Sequence, residues 1–347
     1  MFMQSCWTLR NLVCESSLSS GAHWDGSPLV YFMGDSVKGN LTYRCIFEED
    51  FKYILLPVAY SIVFAFGFIL NIIALYIFIF QIRPWKVNTL FMFNLALSDL
   101  LYVLSLPLLA YYYSKANDWP FSEPLCKLVR FLFYTSLYCS ILFLLCISVY
   151  RFMAVCYPIG FLQWGHIRYA RIACITIWVV IIGIQSPILY FVSTSQIDDS
   201  RICHDTARIE LFDQFVVFNT VTLVFLFCVP FTALLLCNSF MIYVLLTPTV
   251  PATQASKSKR KSVKIIITVL VVFITCFLPY HVTRTLYYYY RKVDTAPCST
   301  LDAVNAAYKS TRPFASLNSC IDPVLYFLVW RFRLVRNRRR SMTERES

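Results

Sequence analysis

The chain has 347 residues, 58% of them hydrophobic and 14% charged, with a mean hydropathy of +0.60. A soluble domain carries about 25% charged residues, so this composition excludes an ordinary water-soluble globule and points to a chain that crosses a membrane repeatedly. The formal net charge is +12, and the basic residues cluster beside apolar runs, as membrane topology requires.

Residues Met1 to Lys52 are polar and show no regular pattern. No apolar core with a small-residue cleavage site marks a secretory signal, so the first span is expected to act as its own insertion signal. Asn40-Leu41-Thr42 is a glycosylation acceptor triplet. Seven runs then reach the roughly 20 residues a span needs: Tyr53 to Phe80, Thr89 to Tyr113, Cys126 to Cys156, Ala170 to Val192, Phe212 to Leu246, Val263 to Tyr287 and Ala303 to Val329. The expected fold is an all-α membrane protein, a seven-transmembrane helix bundle followed by a short amphipathic helix. The expected divisions are an extracellular segment 1–52, the bundle 53–329 and a cytoplasmic helix and tail 330–347.

Loops after the odd-numbered spans carry Arg83, Lys86, Arg168, Arg171, Lys257, Lys259, Arg260, Lys261 and Lys264, and the tail adds Arg331 to Arg340. The opposite loops mix signs, with Asp198, Asp199, Arg201, Asp205 and Arg208. Lys and Arg near span ends favour the cytoplasmic side, which places the N-terminus outside and the tail inside. Membrane lipid, and no nucleic acid, is the partner these basic clusters imply. The bulky residues and arginines from Phe327 to Arg340 suit a helix lying on the inner leaflet.

Eight of the 14 cysteines fall in or beside spans and suit small packing residues. Outside them, in an oxidising setting, a Cys126–Cys203 bridge would pin the loop after the fourth span over the bundle mouth. Cys45 and Cys298 would tie the N-terminal segment to the last outer loop, leaving Cys6 and Cys14. Spacing alone does not fix the connectivity.

In the second span Asp99 is a lone acid at membrane depth, so it should face the interior. Asn71 and Asp322 are its candidate partners. A sodium ion or water cluster fits there, as does a plain hydrogen-bonded network. Pro107, Pro187, Pro230, Pro279 and Pro323 lie inside spans, where each removes a helical hydrogen bond and invites a bend. In the third span Arg130, Phe133, Tyr134 and Tyr138 share one helical stripe. The aromatics suit packing as well as a ligand, whereas Arg130 wants a partner.

The sixth span places His281 and Arg284 three residues apart, and the seventh repeats the interval with Lys309 and Arg312. Residues at that spacing share a helix face. Cations at bilayer depth face a cavity or a counter-charge, so this group reads as a site for a multiply charged anion. Arginine grips phosphate bidentately, and lysine acts as a point charge.

These landmarks together resemble the rhodopsin-like G-protein-coupled receptors. They are Asn71, Leu95-Ala96-Leu97-Ser98-Asp99, Cys126, Arg151, Trp178, Pro230, Cys276-Phe277-Leu278-Pro279 and Asp322-Pro323-Val324-Leu325-Tyr326. Four further stretches are similar to the metabotropic purinergic receptors, in their UTP- and ATP-responsive branch. They are Lys127 to Tyr134, Cys203-His204-Asp205-Thr206, His281 to Tyr288 and Ala307 to Pro313. The resemblance implies an extracellular nucleotide as ligand, its phosphates on Arg130, His281, Arg284, Lys309 and Arg312. It implies base and sugar contacts from Tyr134, Tyr138 and the nearby Phe133 and Tyr288, with Asp205 pairing Arg312 in the empty receptor. Arg151, Asp99, Asp322 and Tyr326 would serve activation and coupling to heterotrimeric Gq-type G proteins, phospholipase C and calcium release. Two positions depart from the family pattern: Tyr150 stands where an acid usually precedes Arg151, and Asp322 where Asn is usual.

Other readings compete. A transporter for organic anions would need internal repeats, and none is seen. A receptor of the same fold for a lipid phosphate, leukotriene or dicarboxylate would need an apolar slot for the ligand. An enzyme is not expected: His23, His166, His204 and His281 are scattered, and no Gly-x-Ser-x-Gly elbow occurs.

Overall fold

The computed structural model describes residues 31–32, 45–47, 49–157, 166–197, 200–246, 266–293 and 296–346, with side chains in the last segment described as far as Pro323. Six described helices are long and apolar enough to cross a membrane: α1 (Lys52–Gln81), α2 (Val87–Ser114), α3 (Glu123–Cys156), α4 (Ile167–Phe191), α5 (Phe212–Leu245) and α6 (Ile266–Lys292). The seventh, α7 (Cys298–Glu346), packs against α1, α2 and α6. The stretch expected as a short amphipathic helix after the seventh span continues that span within this same helix. Basic residues 257–264 and Asn40 lie outside the described residues.

Most of the spans are apolar nearly all round, the outer half of α6 excepted, so burial, more than composition, reveals their inner faces. On α1, Tyr60, Val63, Gly67, Asn71 and Ala74 are buried at intervals of three and four, while Ile54, Phe66, Ile69 and Tyr76 are exposed. An exposed apolar stripe of this kind is what lipid covers. Gly67 lets α1 approach α2 and α7 closely. A methyl group there would lie 3.0 Å from Val103 Cγ2 and 3.4 Å from Cys320 Sγ.

Four of the five prolines interrupt or widen their helices where expected, in three different ways. Before Pro107, α2 loosens at Leu104 and Ser105. Before Pro187, α4 breaks at Ser186. Before Pro230 and Pro279 the helix widens into π turns, Val224–Cys228 and Phe273–Phe277. A proline ring crowds the carbonyl four residues back and supplies no N–H; a wider turn relieves both conflicts. Pro323 sits within α7, whose helix continues through it.

Two short antiparallel hairpins cover one end of the bundle. β1 (Tyr31–Phe32) pairs with β2 (Cys45–Ile46), and β3 (Thr194–Ile197) pairs with β4 (Ser200–Cys203). The first corrects the expectation of a patternless N-terminal segment: two-residue strands are too short to show alternation. Cys126–Cys203 fastens β4 to the start of α3, and Cys45–Cys298 fastens β2 to the start of α7. Trp119 N–H donates to Arg201 O at 2.7 Å, and Arg201 N–H donates to Asp118 Oδ1 at 3.1 Å, holding β4 beside the turn after α2.

The close approach at Gly67 yields a paired test. Gly67→Leu is expected to destabilise the detergent-solubilised protein by roughly 1–3 kcal/mol through overpacking. Gly183→Leu, whose added carbon meets nothing within 4 Å, should leave the thermal midpoint nearly unchanged.

Candidate functional site

At the disulfide-bearing end of the bundle, α3, α6 and α7 turn three guanidinium groups inward. Arg130, Arg284 and Arg312 are only 6%, 5% and 4% exposed. Charge so deeply buried demands compensation, and carboxylates supply little of it.

Arg130 Nη2 donates to Cys203 O at 3.2 Å, so the bridged end of β4 is itself a partner of the site. Arg312 forms an ion pair with Asp205, two residues beyond that cysteine. It also donates from Nη1 to Tyr113 Oη at 3.0 Å and lies 4.5 Å from the centroid of Tyr308. Arg130, Arg312 and Asp205, with Phe133, Tyr134 and Tyr280, line a cavity of about 10 Å³, room for about one water. In this conformation the aromatic rings close that part of the mouth.

Arg284 meets no carboxylate at ion-pair distance among the described residues. Its Nη2 donates to Asn219 Oδ1, its Nε to Tyr288 Oη at 3.3 Å and its Nη1 to Tyr138 Oη at 3.4 Å. The group also lies 4.6 Å from the Tyr134 ring centroid, where the negative π face attracts it. His281 pairs Nδ1 with Phe277 O at 2.9 Å and stacks on Phe227 at 4.0 Å between centroids. Its buried Nε2 has no hydrogen-bond partner among the described residues. Arg284, His281, Tyr138, Tyr288 and Asn219 line a second cavity of about 380 Å³ between α5 and α6.

The basic residues expected in one cavity therefore divide between two, with Tyr134 and Tyr280 in between. Lys309 departs further from expectation. It is ion-paired with Glu49, which also pairs with Lys52 and accepts a hydrogen bond from Asn305 Nδ2 at 2.6 Å. Burial alone would raise the Glu49 carboxyl, but Lys309 and Lys52 outweigh it and hold the group down at about 2. Sequence reasoning missed Glu49, Asn219 and Tyr113. Only Glu49 left a signal, an acid four residues past a cysteine and just ahead of a span. At the entrance, Lys127 pairs with Glu123 at 2.8 Å and Arg291 lies 4.1 Å from the Phe212 ring centroid.

Deeper in the bundle, Ser140 and Ser319 donate to Asp99 Oδ1 at 3.3 and 3.0 Å. Asn71 donates to Gly67 O and Ser319 O, linking α1 to α7. Asp99 Oδ2, both Asp322 oxygens and Asn71 Oδ1 are buried without hydrogen-bond partners among the described residues. Unfilled carboxylate and amide oxygens suit a small hard cation. The donor set thus fits a sodium ion, although no group of three or more His, Cys, Asp or Glu converges among the described residues. Arg151 Nε is likewise buried and unpaired there, in keeping with Tyr150 replacing the acid. The Tyr326 side chain lies outside the described residues.

His204 sits between the disulfide and Asp205. Burial, then the charges of Arg130, Arg291 and Arg208, push it down to about 4, and Ser195 Oγ lies 2.6 Å from its Nε2. The folded protein therefore refuses a proton that the unfolded chain accepts near pH 6.5. Stability conferred by this neutral imidazole is complete above that value and falls as pH drops towards 4. Thermal unfolding of purified protein between pH 7 and 5 should show this loss, and His204→Gln should flatten the dependence.

Residues 70–326 match the family "7 transmembrane receptor (rhodopsin family)". The chain is 55% identical over 296 residues to purinoceptor 2 of Rattus norvegicus, covering 85% of this chain and 79% of that protein. It is 50% identical over 284 residues to purinoceptor 4 of Homo sapiens, with 82% and 77% covered. To purinoceptor 1 of Gallus gallus it is 39% identical over 329 residues, with 93% and 90% covered. With its helices, disulfides and buried arginines in place, the chain belongs to the rhodopsin family of seven-transmembrane receptors and, within it, to the purinoceptors: a multi-pass membrane receptor and not an enzyme.

Proposed function

We propose that this receptor sits in the plasma membrane with its N-terminus outside and responds to extracellular nucleotides, UTP and ATP foremost. The observation that carries the proposal is the set of buried arginines Arg130, Arg284 and Arg312, rich in tyrosine neighbours and poor in carboxylates. A polyphosphate supplies the missing negative charge, and low dielectric strengthens each contact. Phe133, Tyr134, Tyr138 and Tyr288 offer faces on which a base stacks. His281, buried against Phe227, serves as a neutral hydrogen-bonding group.

The ligand gains entry by replacing Asp205 on Arg312. Phosphate then links Arg130 and Arg312 to Arg284 across the Tyr134–Tyr280 divide and gathers α3, α6 and α7. Binding shifts the receptor between states only by its differential affinity for them. The π turn ahead of Pro279 gives α6 a place to flex, so its far end uncovers Arg151 for a Gq-type heterotrimeric G protein, leading to phospholipase C and calcium release. Asp99 and Asp322, with Tyr326 one turn further on, form the relay between site and G protein. Asp99 and Asp322 would hold a sodium ion, which would act there as an allosteric ligand. Asn40 carries a glycan on the outer side.

The test is a calcium assay with a nucleotide panel in cells that lack such receptors. UTP and ATP should evoke a response, and Arg284→Ala and Arg312→Ala should each lower potency roughly 30-fold or more, equivalent to about 2 kcal/mol. A silent wild type with confirmed surface display rejects the ligand; unchanged potency in both variants rejects the site.

A further inference from the structure

Glu49 occupies a cation that the site needs. Three restraints keep it there. Cys45, four residues earlier, is bridged to Cys298 at the start of α7. Lys52, three residues later, holds Glu49 Oε2, while Asn305 and Lys309 of α7 hold Oε1. The Glu49 side chain is 3% exposed and that of Lys309 12%. Lys309 is therefore a neutralised cation, and an incoming phosphate gains nothing from it until Glu49 moves aside.

Protons do not move it. The neighbouring lysines hold the Glu49 carboxyl well below the usual carboxylate range, so physiological acidification leaves the pair intact. A stronger anion does the displacing. Lys309 stands three residues from Arg312 on α7, about 4.5 Å along the helix axis, on the side nearer Cys298. A chain whose inner phosphates engage Arg312 reaches Lys309 with one phosphate more.

We infer that Glu49 is a specificity-determining residue of the nucleotide site: its carboxylate competes with the ligand's outermost phosphate for Lys309, and so weakens the binding only of a chain long enough to reach Lys309. The inference rests on the nucleotide-receptor reading above. Glu49 is thus a tethered stand-in for the terminal phosphate, delivered by the Cys45–Cys298 bridge. Its presence lowers the affinity of triphosphates below what the bare cations would give. Diphosphates stop short of Lys309 and do not sense it.

The experiment is a double-mutant cycle on the full-length receptor, read as calcium potency for UTP and UDP at matched surface expression. Glu49→Gln should raise UTP potency about tenfold and leave UDP within about twofold. The UTP gain should vanish in the Lys309→Gln background, because the competitor then has nothing to guard. An equal gain for both nucleotides, or a gain that persists without Lys309, overturns the inference. Should Glu49→Gln fail to reach the surface, Glu49→Asp retains the charge but shortens the reach, and it should give a smaller gain confined to UTP; no gain, or an equal gain for UDP, counts against the competition. A wild type silent to every nucleotide rejects the receptor reading and this inference with it, whereas a responsive wild type with an additive cycle rejects this inference alone.

Discussion

The structure is built around a shortage of negative charge. Arg130, Arg284, Lys309 and Arg312 bring four positive groups to one end of the bundle, and Asp205 and Glu49 return two carboxylates. The remainder is balanced by phenols, aromatic faces, one amide and one backbone carbonyl. Such partners satisfy hydrogen-bond donors without cancelling charge. The interior therefore stays electrostatically hungry while its geometry is satisfied, a combination that favours a polyanionic ligand and keeps the apolar bundle intact. Both compensating acids come from outside the helices, on segments bridged to α3 and α7.

Helical irregularity supplies the mechanical side. The π turns ahead of Pro230 and Pro279 lie on neighbouring helices, and Phe227 in one stacks with His281 just past the other. A change in either turn is felt through that ring pair. Phe227, Phe231 and Phe273 form a stacked series running along the same interface. Sliding stacked rings costs less than breaking hydrogen bonds, so the α5–α6 seam is a natural place for motion, while the Asn71–Ser319 and Asp99–Ser319 contacts tie α1, α2 and α7.

Much of the fold was legible from hydropathy alone: α1 and α2 begin and end within about three residues of the expected spans, because burial in lipid imposes a length that any apolar run must meet. The buried residues Arg130, Arg284 and Arg312 were legible for a related reason, since a charge inside an apolar run has few explanations. Three kinds of information were not legible. The partition of the cations into two cavities depends on which way Tyr134 and Tyr280 turn, and helical spacing does not specify rotamers. The capture of Lys309 by Glu49 depends on a contact between residues 260 apart in sequence, made possible by a disulfide whose pairing the sequence left open. The β1–β2 and β3–β4 hairpins were missed because strands of two and four residues give almost no periodic signal.

The Cys126–Cys203 bridge has a thermodynamic corollary. Asp205 lies two residues from an anchored cysteine, so its carboxylate meets Arg312 as an intramolecular ligand, at an effective concentration of millimolar or above. A small monocarboxylate in solution makes the same single contact with no such advantage and loses the contest by mass action. An anion that touches several of the arginines at once multiplies its contacts and wins. On the nucleotide reading, a preference for polyanions over common organic acids is in this sense a property of chain connectivity, set by the sulfur–sulfur bond that anchors Asp205.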